Sequence, residues 1–182
     1  MSIYSEVRAA IRHGTWSSLK EFYPDEASAP VIFAFLNGAE PDESYVAIHI
    51  LTVQQVGHHQ TSTLTNDIEQ LSIIANYEVR VQFTFCGSDA GNLAQTFSQK
   101  INNNPVVWEA FRKNKLGIMR KTQIRRAPQR RDTQWVEYFN MDVTFSYAVN
   151  TLQEVDVIEG LLFEDNITGE TFTIPANLVV TP

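Results

Sequence analysis

The sequence holds one cysteine, Cys86, in 182 residues. No intrachain disulfide can form, which fits a reducing compartment such as cytoplasm. One Cys, with four His not spaced around it, builds no structural metal site. No apolar run approaches the roughly 20 residues a membrane span needs. The opening stretch MSIYSEVRAAIRHG has no basic region followed by an apolar one, so it does not read as a secretory signal. HExxH, CxxC and GxSxG are all missing, as is an Asp-x-Asp-x-Asp-Gly calcium loop. There is no internal repeat and no low-complexity tract. Basic residues are missing from two long stretches. Residues 21–79 carry nine acids and no Lys or Arg, and residues 151–182 carry six acids and no Lys or Arg.

The missing positive charge is collected elsewhere. Residues 112–131 hold nine of the fourteen basic residues and no acid: Arg112, Lys113, Lys115, Arg120, Lys121, Arg125, Arg126, Arg130 and Arg131. The net charge of −7 therefore hides an acidic body with one basic segment. Such asymmetry speaks about partners and not about fold. With 43% hydrophobic and 19% charged residues, the chain reads as globular. Its length suits one domain, 1–182, better than two.

The hydrophobic pattern predicts a helix over 2–12, capped by Ser2 and ended by Gly14, with Ile3, Val7, Ala10 and Ile11 on one face. Val31 to Leu36, between Pro30 and Asn37-Gly38, reads as a buried strand. Tyr45 to Val56 is apolar on both faces and reads as a central strand. Residues 57–70 are a polar hairpin loop. From Leu71 to Cys86 the chain is a strand, and Tyr77, Val79, Val81, Phe83 and Phe85 alternate with polar residues. Ser88 or Asp89 caps an amphipathic helix over 90–102, built on Leu93, Phe97 and Ile101. A short helical turn follows at 105–112. Leu116 to Ile124 is a weak strand and 125–133 a polar loop. Trp135 to Val149 is a strong strand whose core face is Trp135, Glu137, Phe139, Met141, Val143, Phe145 and Tyr147. The stretch 155–163 has no clear type. A hairpin turning at Thr168-Gly169 precedes an extended tail, about 165–182. Connections this short imply an α+β fold, a mainly antiparallel mixed sheet flanked by helices. The basic segment becomes a long hairpin arm, about 112–135.

Candidate chemistry is thin. His58-His59 point to opposite faces of an extended chain and make a poor metal pair, so a solvated loop is the expectation. Gly87-Ser88-Asp89-Ala90-Gly91-Asn92 lacks the Lys of a phosphate loop, and Asp89 would repel an anion, which leaves N-capping. Glu154, Asp156, Glu159, Glu164 and Asp165 read as an acidic solvated or partner-facing surface. No catalytic constellation emerges, and no cofactor is expected. The basic segment has three readings: a solvated arm, a nucleic-acid contact or a subunit interface. It contains no Phe, Tyr or Trp for base stacking, which weakens the nucleic-acid reading. A chain basic in one place and acidic elsewhere is self-complementary head to tail, and such contacts close into rings.

The order of segments resembles the neck terminator, or tail-completion, proteins of contractile-tailed bacteriophages. The residues that carry the likeness are VIFAFLNGAEP (31–41), ESYVAIHILTVQQVG (43–57), YEVRVQFTFCGSDAGNLAQTF (77–97), WVEYFNMDVTFSYAV (135–149) and TLQEVDVIEGL (151–161). The resemblance implies a structural, non-enzymatic virion protein, assembled in the host cytoplasm and placed at the neck. It implies a hexameric ring that caps the tail tube and sheath and offers a surface to the head connector. Genome DNA passing through such a ring would be a further, sequence-independent contact. No membrane partner is implied.

Overall fold

A computed structural model describes residues 3–35, 39–58, 60–63, 70–131, 133–154, 160–164 and 171–175. The elements run α1 (Ile3–Ser18), β1 (Val31–Phe33), β2 (Tyr45–Gln55), β3 (Gln60–Thr63), β4 (Gln70–Cys86), α2 (Ala90–Asn103), α3 (Pro105–Lys113), β5 (Leu116–Lys121), β6 (Arg125–Arg126), β7 (Gln129–Arg131), β8 (Gln134–Val136), β9 (Tyr138–Glu154), β10 (Gly160–Glu164) and β11 (Thr171–Pro175). Three helices and a mixed sheet make the α+β arrangement that the pattern predicts. The chain divides into two compact units, residues 1–59 with 74–149 and residues 60–73 with 150–182.

In the first unit the main sheet has the order β1-β2-β4-β9-β5, with β6 also on β9. The β2–β4 and β5–β9 pairs are antiparallel. The β1–β2 pair is parallel, with Val31 opposite Val46. One face of the sheet is covered by the helices. Val79, Val81, Phe83 and Phe85 of β4 and Met141, Val143, Phe145 and Tyr147 of β9 are buried on it, with Leu93, Phe97 and Ile101 of α2 and Val107 and Phe111 of α3. Phe97 lies 4.7 Å from Phe83 between ring centroids, and Phe111 lies 5.2 Å from Phe145. Each such aromatic contributes about 1.5–3 kcal/mol through burial.

The helix ends follow from particular residues. Asn104 caps α3, its side chain accepting from the Val106 N–H at 2.9 Å, and Pro105 follows at the first helical position. Asp89 stands at the start of α2 but makes no side-chain cap. Its own N–H donates instead to Ser44 Oγ at 2.9 Å.

Several expectations change. The polar loop expected over 57–70 holds β3, which pairs with β4. The first helix continues four residues past Gly14 to Ser18. Gly14 is there for packing: a Cβ would lie 2.3 Å from the Phe111 ring. Ser2 lies outside the described residues. The strand expected over 31–36 stops at Phe33, and Phe35 is 85% exposed. Trp135 belongs to β8 and not to the core strand; the chain leaves strand conformation at Glu137, and Trp135 is exposed. The basic arm expected over 112–135 is not one element. Arg112 and Lys113 end α3, Arg120 and Lys121 lie in β5, and Arg125 and Arg126 form β6. Buried Leu116 and part-buried Ile118 hold that stretch to the core opposite Tyr147 and Phe145. Only β7 and β8 form a hairpin, with Arg130 opposite Trp135.

In the second unit β10 and β11 pair antiparallel, with Leu162 opposite Thr173. The Ser72 hydroxyl donates to Asn150 Oδ1 at 2.8 Å. The turn expected at Thr168-Gly169, and residues 176–182 of the expected tail, lie outside the described residues.

Candidate assembly surfaces

The face of the main sheet turned away from the helices carries a charge network, beside a small apolar cluster of Tyr45, Cys86 and Tyr138. Its centre is Asp142 on β9, nearly buried. Arg80 Nη2 donates to Asp142 Oδ2 at 3.0 Å, Gln82 Nε2 donates to Oδ1 at 3.5 Å, and Arg125 Nη2 lies 3.5 Å from Oδ1. The Asp142 N–H donates to Thr122 Oγ1 and its carbonyl accepts from the Thr122 N–H. Next to it Arg120 donates to Glu78 at 3.0 Å and to Thr144 Oγ1 at 3.2 Å. A cleft of about 290 Å³ opens between Arg80, Arg120, Lys121, Thr122, Asp142 and Thr144.

The nine basic residues therefore divide. Arg120, Arg125 and Arg126 are held by Glu78, Asp142 and Glu137. Lys121 reaches the other way, donating to the Ser98 carbonyl at 2.8 Å, and burial lowers its pKa. Arg112, Lys113, Lys115 and Arg130 make no ion pair among the described residues. The Arg131 side chain is outside the description, as are those of Glu154 in β9 and Glu164 in β10. Asp156, Glu159 and Asp165 lie outside the described residues altogether. Of the histidine pair, His58 is exposed and His59 lies outside the description.

The two edges of the main sheet differ. At one edge β5 has no further strand partner among the described residues. Beside it runs a groove of about 420 Å³ lined by Ile101, Trp108, Arg112, Leu116, Ile118 and Met119, among others. Trp108 and Met119 are half exposed. The Trp108 indole N–H donates to the Ile101 carbonyl at 2.5 Å, which fixes the ring against the end of α2. At the other edge, after β1, Phe35 stands exposed with a φ of 63°, its ring edge-on to His49 at 4.8 Å. Residues 21–43 around it carry Glu21, Asp25, Glu26, Glu40, Asp42 and Glu43 with no Lys or Arg. Sequence periodicity misses both features. Phe35 sits in a run, VIFAFL, that reads as interior, and the groove joins residues from three elements.

Titratable groups elsewhere serve the fold. Cys86 is buried with Tyr45 and Tyr138 in a small second apolar cluster, and burial pushes its thiol up to about 11. Burial, and then the Glu6 carboxylate that accepts its proton at 2.6 Å, push the Tyr147 hydroxyl up to about 12. Among the described residues no group of three or more His, Cys, Asp and Glu could hold a metal ion. No described helix is long and apolar enough to cross a membrane.

A comparison with curated proteins returned no match. The family described as phage neck terminator protein matches residues 1–172, nearly the whole chain. The chain belongs to the phage neck terminator family. It is a family of structural proteins. Membership implies a place at the virion neck and contact with other tail and neck proteins. For a neck terminator, edges, grooves and charged patches are the functional surfaces, because its work is to fit its neighbours.

Proposed function

We propose that the chain assembles into a closed ring of six copies that caps the tail tube at the neck and presents its other side to the head connector. In a contractile tail the same ring meets the sheath. The observation that carries this reading is the family match over residues 1–172. The charge pattern supports it. Arg112, Lys113, Lys115 and Arg130 are uncommitted to carboxylates within the described chain, while 21–79 and 151–182 hold acids without bases. Opposite patches on one chain favour head-to-tail contact, which closes into a ring when the rotation per subunit allows. In this reading the basic residues 112–131 face a neighbour, and Glu154, Asp156, Glu159, Glu164 and Asp165 form the acidic counter-surface.

The competing use of the basic residues is contact with genome DNA in the channel. It is weakened because Arg120, Arg125 and Arg126 already hold carboxylates, and because no aromatic residue lies among residues 112–131. Two assays on one variant separate the readings. Replacing Arg112, Lys113, Lys115 and Arg130 with Ala should abolish ring formation on isolated tail tubes and leave salt-dependent DNA affinity nearly unchanged. Loss of DNA affinity with intact rings would reverse the assignment.

A further inference from the structure

Phe35 is costly where it stands. A large aromatic side chain is exposed to water, and its backbone takes the left-handed conformation that non-glycine residues rarely adopt. Among the described residues its ring contact is the edge-on one with His49. Strain and exposed apolar surface at one residue suggest a surface completed by another molecule.

A receptor of matching chemistry lies on the opposite edge of the same sheet. The groove beside β5 offers an apolar floor and wall from Ile101, Leu116, Ile118, Trp108 and Met119, with Arg112 at its rim. Its volume of about 420 Å³ falls in the range of specific pockets, and an aromatic side chain is the commonest kind of anchor for one. The surrounding charges are complementary. Asp42 and Glu43 follow Phe35 in the chain, while Arg112 lines the groove without a carboxylate partner among the described residues. Two cations beside β1 are already engaged: Arg8 lies 4.2 Å over the Phe33 ring, and Arg12 pairs with Glu26 and donates to the Val31 carbonyl. In the strand order four spacings of about 4.8 Å, roughly 19 Å in all, separate β1 from β5. Phe35 and the groove of one chain therefore cannot meet each other.

We propose that Phe35 of one copy seats in the groove between α3 and β5 of the next copy, with Asp42 and Glu43 against Arg112. The contact uses two different patches, so it is heterologous and propagates round a ring. The inference rests on the ring reading and, at Arg112, puts Asp42 and Glu43 in place of the 154–165 carboxylates.

The test places a photo-reactive benzoyl-phenylalanine at position 35 of the full chain. A mixture of isotopically light and heavy copies is assembled on isolated tail tubes, irradiated, and analysed by mass spectrometry. Cross-links between light and heavy copies should run from position 35 to residues 101–121. In parallel, Phe35→Asp should cut ring yield at least about tenfold, as expected for a central interface aromatic, with thermal melting unchanged because the side chain is already exposed. Rings whose cross-links from position 35 fall elsewhere, or Phe35→Asp chains that assemble like the wild type, would overturn the inference and leave the ring reading standing. If wild-type chains form no ring on the tubes, both fall.

Discussion

On β4 and β9 alternate residues go to opposite faces of one sheet, and the two faces do different work. Val79, Val81, Phe83, Phe85, Met141, Val143 and Phe145 lie under the helices, fully buried and without a hydrogen-bonding side chain. Glu78, Arg80, Gln82, Asp142 and Thr144 lie on the other side, joined by charged hydrogen bonds to Arg120 and Arg125. Burial scales with apolar area, whereas partly exposed ion pairs return little net stability. The first face holds the fold together. The second arranges charge on a surface available to partners.

That contrast can be broken by mutation. Phe83→Ala or Phe145→Ala should cost about 3–5 kcal/mol in urea unfolding; a loss near zero would refute the account of the helix-covered face. Asp142→Asn leaves Arg80 and Arg125 facing a neutral amide and should cost about 1–3 kcal/mol. Gly14→Ala tests the α1–α3 contact. Helix propensity alone would favour Ala by about 1 kcal/mol, but the collision with Phe111 should turn the sign and give a net loss of about 1–2 kcal/mol. Arg120→Ala removes an ion pair whose arginine is mostly exposed and should change stability by less than about 1 kcal/mol. A separate effect is in pH. The Cys86 thiol is raised from its ordinary value of 9.0 to about 11, so its neutral form is the one the fold favours. Its contribution is fully present below pH 9 and fades as pH rises toward 11. A thiol reagent at pH 8 should label Cys86 only on unfolding, and rapid labelling of the native chain would contradict its burial.

Much of the helix-covered face is legible in the sequence, because period-two alternation at 77–85 and the spacing of Leu93, Phe97 and Ile101 report burial directly. The misreadings have physical causes. Gly14 resembles a helix stop, since glycine serves both as a C-terminal cap and as a gap for a neighbouring ring. The parallel pairing of β1 with β2 was hidden because the connection from 34 to 44 looked too short for a crossover. The basic segment looked like one arm because a charge run carries no information about element boundaries; Leu116 and Ile118 set those. The groove was invisible, since Ile101, Trp108 and Met119 meet only in the fold. What the family likeness added was the place of work, which no periodicity encodes.

The measurement that bears most directly on the central claim is imaging of isolated tail tubes mixed with the purified full chain, with native mass spectrometry of the same mixture. The account predicts a closed ring of six copies at one end of each tube, and tubes that no longer elongate. Tubes that keep growing, with folded chain bound singly or not at all, would contradict it.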